Sequence, residues 1–402
     1  MSEPLVPRVL VLVCDSFGVG DAPDADRYGD AGSDTIGNCA RAVGGIRAPT
    51  LGDLGLGTLT RIEGVEPRAV TGTGHGRLTE RSAGKDTTTG HWEMAGIVLD
   101  HPFPLYPKGF PSEIVEPFQR RIGRQVLGNV AASGTEIIAE LGEEHLRTGR
   151  PILYTSGDSV FQIACHVDVA PLETLYAWCR IARELLVGDH NIGRVIARPF
   201  DGEPGSFWRR PERRDFSVPP PGPTLLDVCH QAGVATYGVG KIRDIFAERG
   251  LTEASYSDSN DHGIDLTIGY LRRAAPSLVF SNLVDFDSKY GHRNDPQGYA
   301  NAIGALDVRV PELVEALDGG ILLLTGDHGC DPTTPSTDHS RERVPLLVAG
   351  LPGGPYDVGT RSTFADLGAT VAELLGVRWP LVGRSFASEL GIRSHPAVEV
   401  EG

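Results

Sequence analysis

Three apolar runs in the chain each stop on an acid: VLVLVCD at Asp15, VFSNLVDFD at Asp287 and ILLLTGD at Asp327, followed at once by His328. Short β-branched and aliphatic runs bounded by turn residues read as buried strands of a parallel sheet. Ligands of open α/β sheets bind beyond the carboxyl ends of such strands. The pattern therefore predicts that Asp15, Asp287 and Asp327 converge on one spot, with His292 and His339 close behind. Crowded anions repel unless cations sit among them, so the economical reading is a centre of two divalent metals.

Strand Val9–Val13 leads into a long Gly/Asp-rich loop, a helix over Asn38–Val43, and a loop-rich stretch to about residue 100. The four prolines of Pro102–Pro111 and SVPPPGP at 217–223 read as joints between domains. Between them the pattern gives helices over 113–122 and 172–186 and strands over 151–155 and 193–198. After the second joint, helices over 224–232, 265–274 and 300–317 alternate with strands over 235–239, 278–284 and 321–325, the signature of βαβ units. The metal-ligand strands lie on both sides of residues 102–219. That block is therefore expected to be an insertion into one metal-binding domain, made of 1–101 and 220–402.

A chain of 402 residues has room for two domains, and 40% hydrophobic with 22% charged residues is ordinary globular composition. The formal charge of −16 argues against nucleic acid or anionic membrane as partner. Six scattered cysteines without a CxxC pair fit reduced, packed thiols. With no signal peptide and no bilayer-length apolar run, a cytoplasmic protein without membrane contact is expected; no protein partner is evident.

Carboxylate with imidazole suits Mn²⁺, Zn²⁺ or Fe, where oxygen alone would suit Mg²⁺ or Ca²⁺. Asp15, Asp287, His292, Asp327, His328 and His339 are the candidate ligands; Asp285 and Asp338 read as helix caps or supporting acids. GKDTTTGHWEMAG (84–96) reads as a Gly-flanked loop offering Lys85 and three adjacent threonines, one of which would be a metal-activated nucleophile. YTSGDSVFQIACH (154–166) and GRVIARPF (193–200) supply Ser156, Asp158, Arg194 and Arg198. The two arginines alternate on one strand, suited to forked contacts with a phosphate. Lys241, just past TYGVG, is a second candidate cation, whereas Arg209, Arg210, Arg213 and Arg214 read as a solvated linker.

Taken together, CDSFGVGDAPDA, GSDTIGN, GKDTTTGHWEMAG, YTSGDSVFQIACH, GRVIARPF, NLVDFDSKYGHRNDPQGY and GDHGCDPTTPSTDHSRERVPLL closely resemble the bacterial phosphopentomutases of the alkaline phosphatase superfamily. The resemblance runs in order from about residue 8 to about residue 390. It implies an alkaline-phosphatase-like core, a mostly parallel sheet flanked by helices, with a smaller inserted α/β cap and two Mn²⁺ ions between them. The first threonine after Lys-Asp, Thr87, would carry the phosphoryl group. Asp15, Asp327 and His328 would hold one ion near Thr87, and Asp287, His292 and His339 the other. Ser156, Asp158, Val160, Arg194, Arg198 and Lys241 match positions near the sugar phosphate.

The implied reaction interconverts ribose 1-phosphate and ribose 5-phosphate, and the 2-deoxyribose pair, through phosphothreonine and a pentose 1,5-bisphosphate. A sugar bisphosphate would serve as activator, and nucleoside catabolism would be the setting. Cys330 and Gly157 depart from the family pattern without removing a ligand. A dimetal phosphatase or a phosphoglycerate mutase on the same core is the rival enzyme. A metal- or nucleotide-sensing protein is the rival of another class, and the intact Thr87, Lys85 and six ligands argue against it.

Overall fold

The computed structural model describes residues 5–156 and 159–392. The strands are β1 (Arg8–Cys14), β2 (Thr73–Leu78), β3 (Leu127–Ala131), β4 (Ile152–Thr155), β5 (Val160–His166), β6 (Arg194–Asp201), β7 (Trp208–Arg209), β8 (Arg214–Ser217), β9 (Ala235–Val239), β10 (Glu253–Ser255), β11 (Ser277–Leu283), β12 (Ile321–Thr325), β13 (Val344–Ala349) and β14 (Tyr356–Arg361). Two compact units partition them: Pro102–Pro219 is one, and the chain on either side of it forms the other.

The larger unit is built on a sheet ordered β10-β9-β11-β1-β12-β13-β2-β14. β13 is antiparallel to both its neighbours, and the remaining pairings are parallel. Every residue of β11 and β12 is buried, as expected of central strands covered on both faces. Successive side chains of a strand point to opposite faces. Leu10 and Leu12 of β1 accordingly join a core layer with helices Thr35–Val43 and Pro296–Leu317. On the other face Phe280 of β11 meets the His91 ring, 5.8 Å between centroids, from helix Thr87–Met94.

The registers Cys14↔Leu283, Val13↔Thr325 and Ser281↔Val239 bring the carboxyl ends of β9, β11, β1 and β12 to one edge. Because β13 is antiparallel, with Thr325 opposite Leu346, its amino end lies at that same edge. The segment preceding β13 thus delivers His339 to the place where the parallel strands deliver their acids.

In the smaller unit the sheet runs β3-β4-β5-β6-β7, with β8 also on β6. Helix Leu172–Leu185 packs on the face carrying Phe161, Ile163 and Cys165; helix Gly134–Thr148 packs on the face carrying Tyr154 and Ala164.

Several local expectations change. GKDTTTGHWEMAG is not a loop: Thr87–Met94 is helical, with Asp86 as N-cap accepting from the Thr88 and Thr89 amides. All eight helical positions are buried, so no polar stripe betrayed the period. The Arg209–Arg214 run is solvent-exposed as expected at Arg209, Arg213 and Arg214, but it is no linker. It lies in β7, β8 and the turn between them, with Arg210 paired to Asp201 and Glu212, and Arg213 to Asp215. The helix placed at 265–274 is Asn260–Leu271, because Ser259 caps a polar first turn. No helix among the described residues is long and apolar enough to cross a membrane.

Candidate metal centre

Asp15 follows β1 directly, and Asp327 and His328 follow β12 after one glycine. Asp287 does not end a strand; it sits in a helical turn, Phe286–Tyr290, beyond β11, and His292 is in the next turn, Gly291–Arg293. All six candidate ligands nevertheless come together. His292 Nε2 and His339 Nε2 lie 3.3 and 3.4 Å from Asp287 Oδ1. His328 Nε2 lies 3.4 Å from Asp15 Oδ1 and 3.3 Å from Asp327 Oδ2. Thr87 Oγ1 is 3.0 Å from that same His328 nitrogen.

Two groups have donor atoms all within 4.8 Å of one another: Asp287 with His292 and His339, and Asp15 with Asp287 and His328. Asp287 thus stands between both. Buried Asp15 Oδ1, Asp287 Oδ1 and Asp327 Oδ2 make no hydrogen bond of good geometry, though each faces imidazole nitrogen. Burying such oxygens unsatisfied is costly. Ligand atoms bonded at about 2.1 Å to one tetrahedral cation stand about 3.4 Å apart, which is the spacing seen here. The orphaned oxygens, the spacing and the mixed oxygen–nitrogen donor set fit divalent metal ions.

The electrostatics are those of a charged site out of water. Burial, then the charge of Asp327, raises the Asp15 carboxyl to about 7, although Lys241 Nζ at 2.6 Å pulls the other way. For Asp287, burial is outweighed by His292 and Lys241, and its carboxyl falls well below the usual range. Burial opposes protonation of His292, but the adjacent Asp287 charge prevails and pushes it up to about 12. Burial takes His328 down to about 4, so its ring is neutral at pH 7. His292 Nδ1 donates to the Thr337 carbonyl at 2.6 Å, which leaves Nε2 facing Asp287. A proton on that nitrogen occupies the position a cation would take.

Thr87 is the first residue of its helix, where the helix dipole favours an anion. The helix sits hard against the metal-ligand loop. A Cβ on Gly90 would lie 2.2 Å from the Asp327 carbonyl oxygen, so only glycine permits the approach. His91, which pattern reading passed over, is fully buried. Its Nδ1 donates to the Thr87 carbonyl at 2.8 Å and lies 3.3 Å from Asp327 Oδ2, tying the threonine helix to a ligand.

Lys85 Nζ pairs with Asp30 at 3.0 Å and reaches Asp338 at 3.7 Å. Asp338 also accepts from the His339 amide, and Asp285 accepts from the Asn260 amide, so both serve as supports. Lys241, following β9, bridges Asp15 and Asp287, the latter at 3.7 Å.

In the smaller unit, β4 and β5 are antiparallel, and Val160 is the register partner of Arg194. Ser156, Val160 and Arg194 therefore share one end of that sheet; Asp158 lies outside the described residues. Arg194 pairs with Asp215 at 3.6 Å, and Arg198, four residues along the same face, donates to Gln162 at 3.2 Å. Burial lowers the Arg198 guanidinium to about 10, which leaves it charged at neutral pH.

The profile of the Metalloenzyme superfamily matches residues 7–378. Phosphopentomutase from Anaeromyxobacter dehalogenans (strain 2CP-C) is 58% identical over 385 residues, covering 95% of this chain and 98% of its own. The chain belongs to the phosphopentomutase family. Phosphopentomutases of Thermotoga petrophila, 56% identical over 94% of this chain and 98% of theirs, and Caldanaerobacter subterraneus, 53% over 97% and 99%, are similar to it too. A solved protein from Pyrococcus horikoshii aligns at 15% identity with a TM-score of 0.47, over 94% of this chain and 100% of its own, too distant to carry an argument. Membership in a phosphopentomutase family within the metalloenzymes makes the chain a mutase, an isomerase acting on small sugar phosphates, and a binder of divalent metal.

Proposed function

We infer that the chain interconverts ribose 1-phosphate and ribose 5-phosphate, and their 2-deoxy counterparts, with Thr87 as the phosphoryl carrier. The observation that carries this reading is Thr87 Oγ1, at a helix N-terminus and 3.0 Å from His328 Nε2, beside a cluster of orphaned carboxylate oxygens. Asp15, Asp327 and His328 would hold one Mn²⁺ and Asp287, His292 and His339 a second; other dications with the same donor preference would serve. Such ions, when bound, neutralise the incoming phosphate and acidify a nearby hydroxyl.

The side chains do the rest. Phosphoryl transfer asks a protein chiefly for alignment and for neutralisation of the phosphoryl oxygens. The N-terminal dipole of helix Thr87–Met94 suits a phosphate on Thr87, and His91 fixes the helix against Asp327. Thr87 gives its phosphoryl group to the free hydroxyl of a pentose phosphate, forming a pentose 1,5-bisphosphate, and takes back the other phosphate. The bisphosphate must turn around between these steps without losing a phosphoryl group to water. Ser156, Asp158, Val160, Arg194, Arg198 and Lys241 are proposed as the substrate-holding set, the arginines for phosphate and the hydroxyl and carboxylate for sugar hydroxyls. Lys85, bonded to Asp30, is proposed to steady the chain entering Thr87. We place residues 102–219 as the cap, the remainder as the catalytic core, the enzyme in the cytoplasm in nucleoside catabolism, and a sugar bisphosphate as the activator that primes Thr87.

Incubating Mn²⁺-loaded protein with ribose 1-phosphate tests the reading: ribose 5-phosphate should accumulate, and release of free phosphate alone would instead indicate a phosphatase. Peptide mass spectrometry after treatment with a sugar bisphosphate should place phosphate on Thr87.

A further inference from the structure

Arg341 lies two residues beyond His339, in the segment that leads into β13, and it is 2% exposed. A guanidinium has five N–H donors in a planar fork, and here every one is committed. Nε donates to Asp24 Oδ1 at 3.1 Å and Nη2 to Asp24 Oδ2 at 3.2 Å. Nη1 donates to Glu80 Oε2 at 2.6 Å and to the Gly84 carbonyl at 2.7 Å, and Nη2 to the Glu80 carbonyl at 2.9 Å. The guanidinium also lies over the Tyr28 ring, 5.0 Å from its centroid. Tyr28 in turn accepts from the Gly84 amide through its hydroxyl at 3.2 Å.

Gly84 is therefore gripped at both its N–H and its C=O. Its φ of +141° is a conformation that side-chain-bearing residues rarely adopt. Three residues later the chain reaches Thr87. A second strap runs alongside: the Arg341 amide donates to Asp30 Oδ2 at 2.8 Å, and Asp30 receives Lys85 Nζ. One short segment, 339–341, thus carries a candidate metal ligand and also fixes the chain that enters the nucleophile helix.

An ion pair with Glu80 alone would need no such arrangement, since buried pairs are often replaceable by apolar side chains at little cost. Lysine could meet the charge of Glu80, but a single ammonium cannot also span Asp24 and the Gly84 carbonyl with planar, forked geometry. What is specific to arginine here is its hold on the backbone leading to Thr87.

We propose that Arg341 is a positioning residue for phosphoryl transfer: by clamping Gly84 from the His339 segment, it sets the reach of the Thr87 hydroxyl. The proposal rests on Thr87 being the phosphoryl carrier. It assigns Arg341 an effect on turnover rather than on substrate or metal affinity, because its guanidinium bonds to Asp24, Glu80 and Gly84, none of them a proposed metal ligand or substrate-holding residue.

The test uses full-length Mn²⁺-loaded enzyme as wild type, Arg341→Lys and Tyr28→Phe. Wild-type protein treated with a pentose 1,5-bisphosphate is mapped first. No phosphate on Thr87 would sink the carrier reading and this proposal with it. With phosphate on Thr87 in wild type, R341K should lose about 10²-fold in kcat, the scale of an ångström-size misplacement. Its KM and its Mn²⁺ affinity by calorimetry should stay within about threefold of wild type, and its Thr87 should take up phosphate correspondingly slowly. Y28F loses a single hydrogen bond to Gly84 on a partly buried side chain and should show about a fivefold kcat loss with unchanged KM. Wild-type kcat in R341K, or a parallel loss of Mn²⁺ affinity, would overturn the proposal while leaving the carrier reading intact. If R341K fails to fold, unchanged kcat in Y28F overturns it equally.

Discussion

Mn²⁺ binding to metal-free protein should release protons, and Asp15 and His292 set the least amount. A dication binds carboxylate and neutral imidazole, so any ligand protonated beforehand must give up its proton. Asp15, raised to about 7, is half protonated at pH 7, and His292, raised to about 12, is fully protonated. His328, lowered to about 4, and Asp287, held well below the usual range, have nothing to release. Asp15 and His292 together should therefore give up about one and a half protons at pH 7, rising toward about two near pH 6 and falling toward about one near pH 8. Calorimetric titration of Mn²⁺ into chelator-stripped protein, in PIPES and in Tris, reads this number from the difference in heats. The direction is fixed as well: binding must strengthen with pH, steeply at pH 6 and less so at pH 8. The metal-free fold moves oppositely on account of Asp15. Its pKa is raised from 3.8, so that contribution to stability is complete below about pH 4 and is lost as pH climbs through 7. Buffer-independent heats together with an affinity flat from pH 6 to 8 would refute the reasoning.

Thr87→Ala should abolish mutase activity while leaving the Mn²⁺ isotherm within a few-fold of wild type; turnover at the wild-type rate would remove Thr87 as carrier. Gly90→Ala would place a Cβ 2.2 Å from the Asp327 carbonyl oxygen. It should lower Tm by several degrees, as overpacking of about 1–3 kcal/mol does, and depress kcat as well; a thermal scan and an assay indistinguishable from wild type would contradict the close approach. Arg194→Ala should raise KM for ribose 1-phosphate at least tenfold with Mn²⁺ affinity unchanged, and an equal loss of both in calorimetry would count against a phosphate-binding role.

How legible the site was in the sequence varies residue by residue. Asp15, Asp327 and His328 could be read off because β1 and β12 are uninterrupted apolar runs that stop at the acid, and burial on both faces enforces such runs. Asp287 was found for a reason only partly right, since β11 ends at Leu283 and a helical turn carries the acid onward. The helix bearing Thr87 was missed because all its positions are buried and its sequence, TTTGHWEM, lacks amphipathic contrast; the cap at Asp86 was the available signal. β2, with the sequence TGHGRL, does not look like a strand. Its Gly76 is there because a Cβ would meet the Gly359 carbonyl oxygen at 2.6 Å, a demand set by β14 and invisible locally. The hold of His91 on Asp327 and that of Arg341 on Glu80 are long-range contacts, and no spacing rule reaches across 236 or 261 positions.

The most direct test of the account is anomalous diffraction at the manganese edge from crystals of this protein soaked in Mn²⁺. Two peaks are expected, one among Asp287, His292 and His339 and one among Asp15, Asp327 and His328 within reach of Thr87 Oγ1. A single peak, or manganese bound only elsewhere, would contradict it.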